Sequence, residues 1–253
     1  MPPEITLLGI CGSPVEGGNT QVMLEKALKK ADELENVKTK MFLSAKKKIG
    51  HCIHCNWCLS HNESDRFCSL KDDLNEMFPL VMEADGILFA SPVYTGRMSS
   101  YMAAIMDRLR CLGFLGRRGM TKNKVAGAIS VSWYRNGGQE TCGLSIYMGA
   151  FCSEMLPISV HHSGSYYGAM GLSSPYGEGS FDPEDKLPIL KDEWGIKGAE
   201  NIAMRVVEVA RIIKAGMMAL TREGTDPQIL SIGNLAREAL AKKEMAPRHG
   251  SGE

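Results

Sequence analysis

An α/β fold, a parallel sheet between helical layers, is predicted by three observations. Short apolar runs recur along the chain, stretches of helical period separate them, and a glycine-rich turn joins the first run to the first helix. Strands separated by helices of this length pair in parallel through right-handed crossovers. The first run, Glu4–Ile10, ends at Cys11-Gly12-Ser13-Pro14 and reads as a buried strand entering a turn. Asn19 or Thr20 caps a helix reaching about Glu33, with Val22, Met23, Leu24, Ala27 and Leu28 at helical spacing. A second strand fits Val37–Leu43. Asp72 and Asp73 open a helix to about Ala84, acidic at its positive end, with Pro79 as a kink point. Gly86–Ser91 is the third strand, followed by a Pro92-Val93-Tyr94 turn and a helix over Ser99–Leu112. The fourth strand is Lys124–Ser132, a helix runs from Glu140 to about Ser153, and the fifth strand is Leu156–Val160. A last core helix spans Lys197–Leu220 on the stripe Ile202, Val206, Val209 and Ile213, and one more helix fits Asp226–Lys243 before a disordered tail.

At 253 residues the chain is predicted to be one domain with attachments. That domain covers residues 1–220. Residues 44–72 and 161–195 are long insertions, and 221–253 form a helical extension and tail. The 29 basic and 29 acidic residues balance, which removes the broad field that nucleic acid or an anionic membrane surface would need. Neither is expected as a partner. The amino terminus has no basic region, and Gly9, Gly12 and Pro14 break the apolar stretch, so a soluble cytoplasmic protein is expected.

In a doubly wound sheet, ligands settle beyond the carboxyl ends of the strands. That rim collects Gly12–Thr20, Ser91–Arg97 and Trp133–Thr141. The first loop, GSPVEGGNT, offers the hydroxyls of Ser13 and Thr20, the amide of Asn19 and the free N–H groups of a helix start, a seat for phosphate. Neither G-x-x-x-x-G-K-[ST] nor G-x-G-x-x-G is present, so a mononucleotide phosphate fits better than a nucleoside triphosphate or a dinucleotide.

The cysteines carry the sharpest signal. Cys52, Cys55 and Cys58 form C-x-x-C-x-x-C, which brings three thiolates into one tight loop, and Cys68 supplies a fourth after nine intervening residues. This spacing favours an iron–sulfur cubane. Structural zinc, which usually pairs two separate arms, is the alternative, and a loop without metal the third reading. His51, His54 and His61 lie close to the cysteines. Cys11, Cys111, Cys142 and Cys152 read as small apolar fillers. Lys46-Lys47-Lys48 reads as a solvated turn, and Trp57 as a packing anchor or a shield for a cluster.

With GSPVEGGNT, the Cys52–Asp73 segment ending CSLKDD, the loop SPVYTGRMS at Ser91–Ser99 and GGQET at Gly137–Thr141, the sequence resembles the NADPH-dependent FMN reductase family and, within it, the iron-sulfur flavoproteins. The resemblance spans positions 4 to about 160. It implies a flavodoxin-like, five-stranded parallel sheet of order 2-1-3-4-5. It further implies FMN held at the phosphate by Ser13, Asn19 and Thr20, lined along the ring by Pro92, Val93, Tyr94 and Gly96, and closed at the far edge by Gly137, Gly138, Glu140 and Thr141. A 4Fe-4S cluster on Cys52, Cys55, Cys58 and Cys68, and a homodimer or homotetramer, belong to the same picture. The implied activity is that of an FMN-dependent oxidoreductase passing electrons between a ferredoxin-like or NAD(P)H donor and a small acceptor such as oxygen, peroxide, a quinone or a flavin. Two other readings compete with it: an NAD(P)H-dependent FMN or quinone reductase without a cluster, and a non-enzymatic redox sensor or zinc-stabilised binding module. No catalytic side chain is required, Tyr94 being the one candidate.

Overall fold

The computed structural model describes residues 2–61, 66–113, 119–161 and 164–222. Its centre is a sheet in the order β2-β1-β3-β5-β6, with β1 Ile5–Cys11, β2 Val37–Leu43, β3 Gly86–Tyr94, β5 Val125–Ser132 and β6 Leu156–Pro157. Every pairing along that path is parallel. This is the predicted order, since β5 is the fourth predicted strand. On one face α1 (Asn19–Asp32) and α6 (Glu193–Arg222) pack over Leu7, Leu88, Val125 and Ile129. On the other, α3 (Met77–Glu83), α4 (Ser100–Arg108) and α5 (Gln139–Cys152) cover Leu8, Ile10, Phe89 and Ala126. The central strands are buried on both faces, which is why they read as continuous apolar runs without alternation. The fit is tight where α6 crosses the sheet: a Cβ on Gly86 of β3 would stand 2.4 Å from Val206.

Two strand predictions are corrected. β3 does not end at Ser91 but continues to Tyr94 and turns through Thr95-Gly96 into β4, Arg97–Met98, as an antiparallel hairpin. Thr95 and Gly96 have φ of 52° and 74°, the two successive positive values that a tight hairpin turn needs. The fifth strand is split. β6 pairs with Val125 and Ala126 only, the chain leaves the sheet, and β7, Ala169–Leu172, returns to pair with Ile129–Ser132. In the gap a side chain replaces the ladder: the Tyr147 hydroxyl accepts from the Ala128 N–H at 3.4 Å and donates to the Ile158 carbonyl at 2.6 Å. The segment at 161–195 therefore carries half of the edge strand. With β4 and β7 the sheet has seven strands where five were expected.

The helix predicted from Asp72 opens as a 3-10 turn, Asp73–Glu76, before α3, so the missing N–H of Pro79 falls in the first turn of α3. The predicted helix Asp226–Lys243 and the tail lie outside the described residues. No helix among the described residues is long and apolar enough to cross a membrane.

Candidate functional site

The first loop and the β3–β4 hairpin are fastened together by serines. Ser99 caps α4 by accepting from the Met102 N–H at 3.0 Å, while its hydroxyl donates to the Gly12 carbonyl at 2.5 Å. Its own N–H donates to the Ser91 hydroxyl at 3.0 Å. Ser91 and Ser99 are both fully buried, so this chain of bonds is shielded from competing water. The hairpin in turn meets the loop before α5. Gly138, at φ 102°, lies so close to Gly96 that a Cβ there would stand 2.5 Å from the Gly96 carbonyl oxygen.

Between these loops opens a cavity of about 670 Å³, within the range of roughly 300–1,000 Å³ usual for cofactor sites. Eight of the residues offered for a flavin, Ser13, Asn19, Thr20, Pro92, Val93, Tyr94, Gly96 and Gly137, line it. Three predicted residues stand elsewhere. Gly138 backs the Gly96 turn without lining the cavity, and Glu140 and Thr141 are exposed on the first turn of α5. The α1 amino terminus faces the cavity from Gly18, which supplies no side-chain cap, so the first-turn N–H groups point outward unserved by one. Gln21, the side chain that could have capped them, instead accepts from the Gly17 N–H at 2.8 Å. Partial burial raises the pKa of the Tyr94 phenol, with the neighbouring Cys11 and Tyr101 adding to the effect. Trp133 and Tyr134 form a half-exposed wall, Trp133 tilted against Phe181 at 6.5 Å.

Sequence reasoning missed Ser173 and Lys186, which line the cavity from the segment after β7. Two attachments hold that strap. Ser173 bonds the Ser132 carbonyl through its N–H at 2.8 Å, and Asn19 grips the other end, accepting from the Ile189 N–H at 3.1 Å and donating to the Lys186 carbonyl at 3.4 Å. The Asn19 amide is thus engaged by the strap. Lys186 is the one cation among the described residues that line the cavity. Its segment has no periodicity, and only β7 brings it to the rim.

The cysteine loop lies against the far end of α4. Cys52, Cys58 and Cys68 are partly buried, and Cys58 feels both of the others electrostatically. Burial raises the Cys58 pKa. Cys55 is exposed, and its sulfur sits 3.0 Å from the Ser69 hydroxyl, a contact that together with the Trp57 N–H lowers its pKa. Among the described residues no three His, Cys, Asp or Glu side chains converge as a ligand set. Phe67 backs the loop on the core residue Phe78 at 5.3 Å, and Trp57 stacks on His61 at 4.6 Å. The Arg66 guanidinium lies over the Trp57 ring and donates to the carbonyls of Cys68 and Ser69. The fillers Cys11, Cys111 and Cys142 are buried as expected, but Cys152 is exposed at the end of α5. The lysine run is paired through Lys46–Glu16 and Lys47–Glu76.

The NADPH-dependent FMN reductase family matches residues 5–161. An iron-sulfur flavoprotein of Methanocaldococcus jannaschii is 33% identical over 210 residues, 82% of this chain and 98% of that protein. One of Archaeoglobus fulgidus is 34% identical over 203 residues, 80% of this chain and 96% of that protein. RosB, solved with bound 8-demethyl-8-formylriboflavin-5'-phosphate, shares the fold with a TM-score of 0.64 at 15% identity, over 98% of this chain and 90% of RosB. The chain therefore belongs to the NADPH-dependent FMN reductase family and, within it, to the iron-sulfur flavoproteins, which makes it a flavin-dependent oxidoreductase of flavodoxin-like fold.

Proposed function

We propose that the chain holds FMN in the rim cavity and a 4Fe-4S cluster on Cys52, Cys55, Cys58 and Cys68, and passes electrons between a ferredoxin-like or NAD(P)H donor and a small acceptor: oxygen, peroxide, a quinone or a flavin. The observation that carries this reading is the cavity between an uncapped helix amino terminus and an aromatic wall. Such a helix start suits a phosphate, and the wall suits a ring. FMN, when bound, supplies exchange between two-electron and one-electron chemistry, and the cluster supplies single electrons.

The chain's own residues orient and shield. Ser13, Thr20 and the first-turn N–H groups of α1 hold the phosphate, with Asn19 contributing its backbone N–H while its side chain fixes the strap. Pro92, Val93, Tyr94, Gly96 and Gly137 pack along the ring. Gly138 shapes that edge by seating Gly96, and Glu140 and Thr141 act only through the start of α5, where a carboxylate suits the helix dipole. Trp133 limits water. Tyr94, its phenol kept protonated by burial, is the one side chain offered as a proton or hydrogen-bond donor. For the cluster, the donor set fits by chemistry: four thiols on one loop, three of them partly buried and two of these, Cys58 and Cys68, packed against the core.

Leu144, Met148 and Phe151 lie exposed on one side of α5 at helical spacing, a face suited to a second copy in a homodimer or homotetramer. The exposed Cys55 side of the loop is where a carrier protein would approach.

The first test is an ultraviolet–visible spectrum with iron and sulfide assays on protein purified without oxygen. Flavin bands with about four irons per chain are expected. Flavin without iron would leave an NAD(P)H-dependent FMN or quinone reductase, and absence of both would remove the reading.

A further inference from the structure

Arg108, the last residue of α4, is 2% exposed. A buried guanidinium needs acceptors for its donors, because a donor taken out of water and left unserved destabilises the fold. Only one of its nitrogens is served. Nη1 donates to the Asp72 carboxylate at 2.5 Å and to the Gly50 carbonyl at 3.1 Å. Nε and Nη2 are buried and have no hydrogen-bond partner. Asp72 is only partly served as well: Oδ2 takes Arg108 and the Gly50 N–H, while Oδ1 is buried without a donor.

The surroundings indicate what the two free donors are for. Gly50 and Asp72 bracket the cysteine loop, one just before Cys52 and the other just after Cys68. Arg108 thus closes the two ends of the loop on each other from beneath. Cys68 is the sulfur that interacts with the same guanidinium, and Cys68 and Cys52 are both electrostatic neighbours of Cys58. A guanidinium stays protonated in a protein, so the buried group is a fixed cation. A purely structural clamp would use Nη1 and leave Nε and Nη2 without a purpose.

Resting on the cluster reading above, we propose that Arg108 is a positioning residue for the iron–sulfur cluster, its Nε–H and Nη2–H donating to cluster or thiolate sulfur and raising the reduction potential. Sulfur bonded to iron is anionic and accepts such donors, and hydrogen bonds to the sulfurs tune these clusters. Reduction adds negative charge to the sulfurs, so a fixed cation with two donors stabilises the reduced form more than the oxidised one. The fork of arginine is essential to this arrangement, because one nitrogen holds the ends of the loop while two more donors remain on a guanidinium that Cys68 approaches. A lysine has a single nitrogen and cannot do both. Arg110, on the same turn, is half-buried and bonded to Asn56 at 2.9 Å, and acts on Cys55 and Cys58 only as a nearby charge.

The test is an anaerobic redox titration of the iron-loaded full chain, followed by absorption and electron paramagnetic resonance, for the native protein, Arg108→Lys, Arg108→Met and Asp72→Asn. The cluster midpoint is expected to fall from native to Arg108→Lys to Arg108→Met. Asp72→Asn, which leaves the guanidinium in place, should keep the native midpoint or raise it. If Arg108→Met retains no iron, Arg108→Lys and Asp72→Asn decide by the same criteria. A native midpoint in Arg108→Lys, or an equal fall in Asp72→Asn, overturns the proposal and leaves Arg108 as a clamp. A native chain that binds flavin but takes up no iron overturns the cluster reading itself, a result distinct from an unshifted potential.

Discussion

Around the rim cavity each loop is bonded to the next through buried groups: Ser99 to Gly12 and Ser91, Gly138 against Gly96, Asn19 to the strap. Around the cysteine loop the buried fastening is the Arg108–Asp72 ion pair at its base and Phe67 against Phe78, while the other bonds and the thiols lie half-buried to exposed. The first region is shaped by the core that supports it, since its loops leave strands and helices whose positions packing has already fixed. The second is a run of chain between β2 and α3, where sulfur–metal bonds would supply the order that packing does not. A flavin site is thus preorganised by the fold, and a cluster site is completed by its cluster.

The largest test of this contrast is Cys58→Ser. Iron content should drop from about four per chain to near none, while FMN affinity measured by fluorescence titration stays within about twofold. A parallel loss of FMN would show that the two regions are not independent. Gly138→Ala attacks the rigid side: a Cβ at φ 102° facing the Gly96 carbonyl costs about 1–3 kcal/mol, read as a roughly 5- to 150-fold weaker FMN affinity. Unchanged affinity would mean that the hairpin adapts and the cavity is not preformed. Lys186→Met removes an exposed cation from the strap, worth about 1 kcal/mol, so FMN should bind roughly fivefold more weakly and riboflavin unchanged. Equal losses for both would move Lys186 from the phosphate to the ring. Tyr94→Phe is expected to have the smallest effect, about 0.5–1 kcal/mol, seen as a two- to fivefold fall in turnover at unaltered FMN affinity; identical turnover would reduce Tyr94 to a wall.

The parallel order of the main strands and the helices between them were legible because burial on both faces and helical period are local signals, whereas the eleven residues offered for the flavin came from loop motifs and family resemblance, and eight of them line the rim cavity. Glu140 and Thr141, offered by the same resemblance, stand outside that lining. A motif marks the neighbourhood of a site, but helical geometry decides which side of the helix each residue faces, and α5 turns these two outward. The split edge strand was hidden because β6 is only Leu156–Pro157, and a hydroxyl from α5, Tyr147, completes the ladder across the gap.

By itself the sequence determined the doubly wound class, the glycine-rich turn between the first strand and the first helix, and the thiol set, each written in contiguous residues. Tertiary structure alone decided that Ser173 and Lys186 reach the rim, that Ser99 holds the Gly12 carbonyl, and that Arg108 closes the cysteine loop from beneath. Those contacts join residues far apart in the chain. Their free energy comes from satisfying polar groups that only packing buries, so no local pattern announces them.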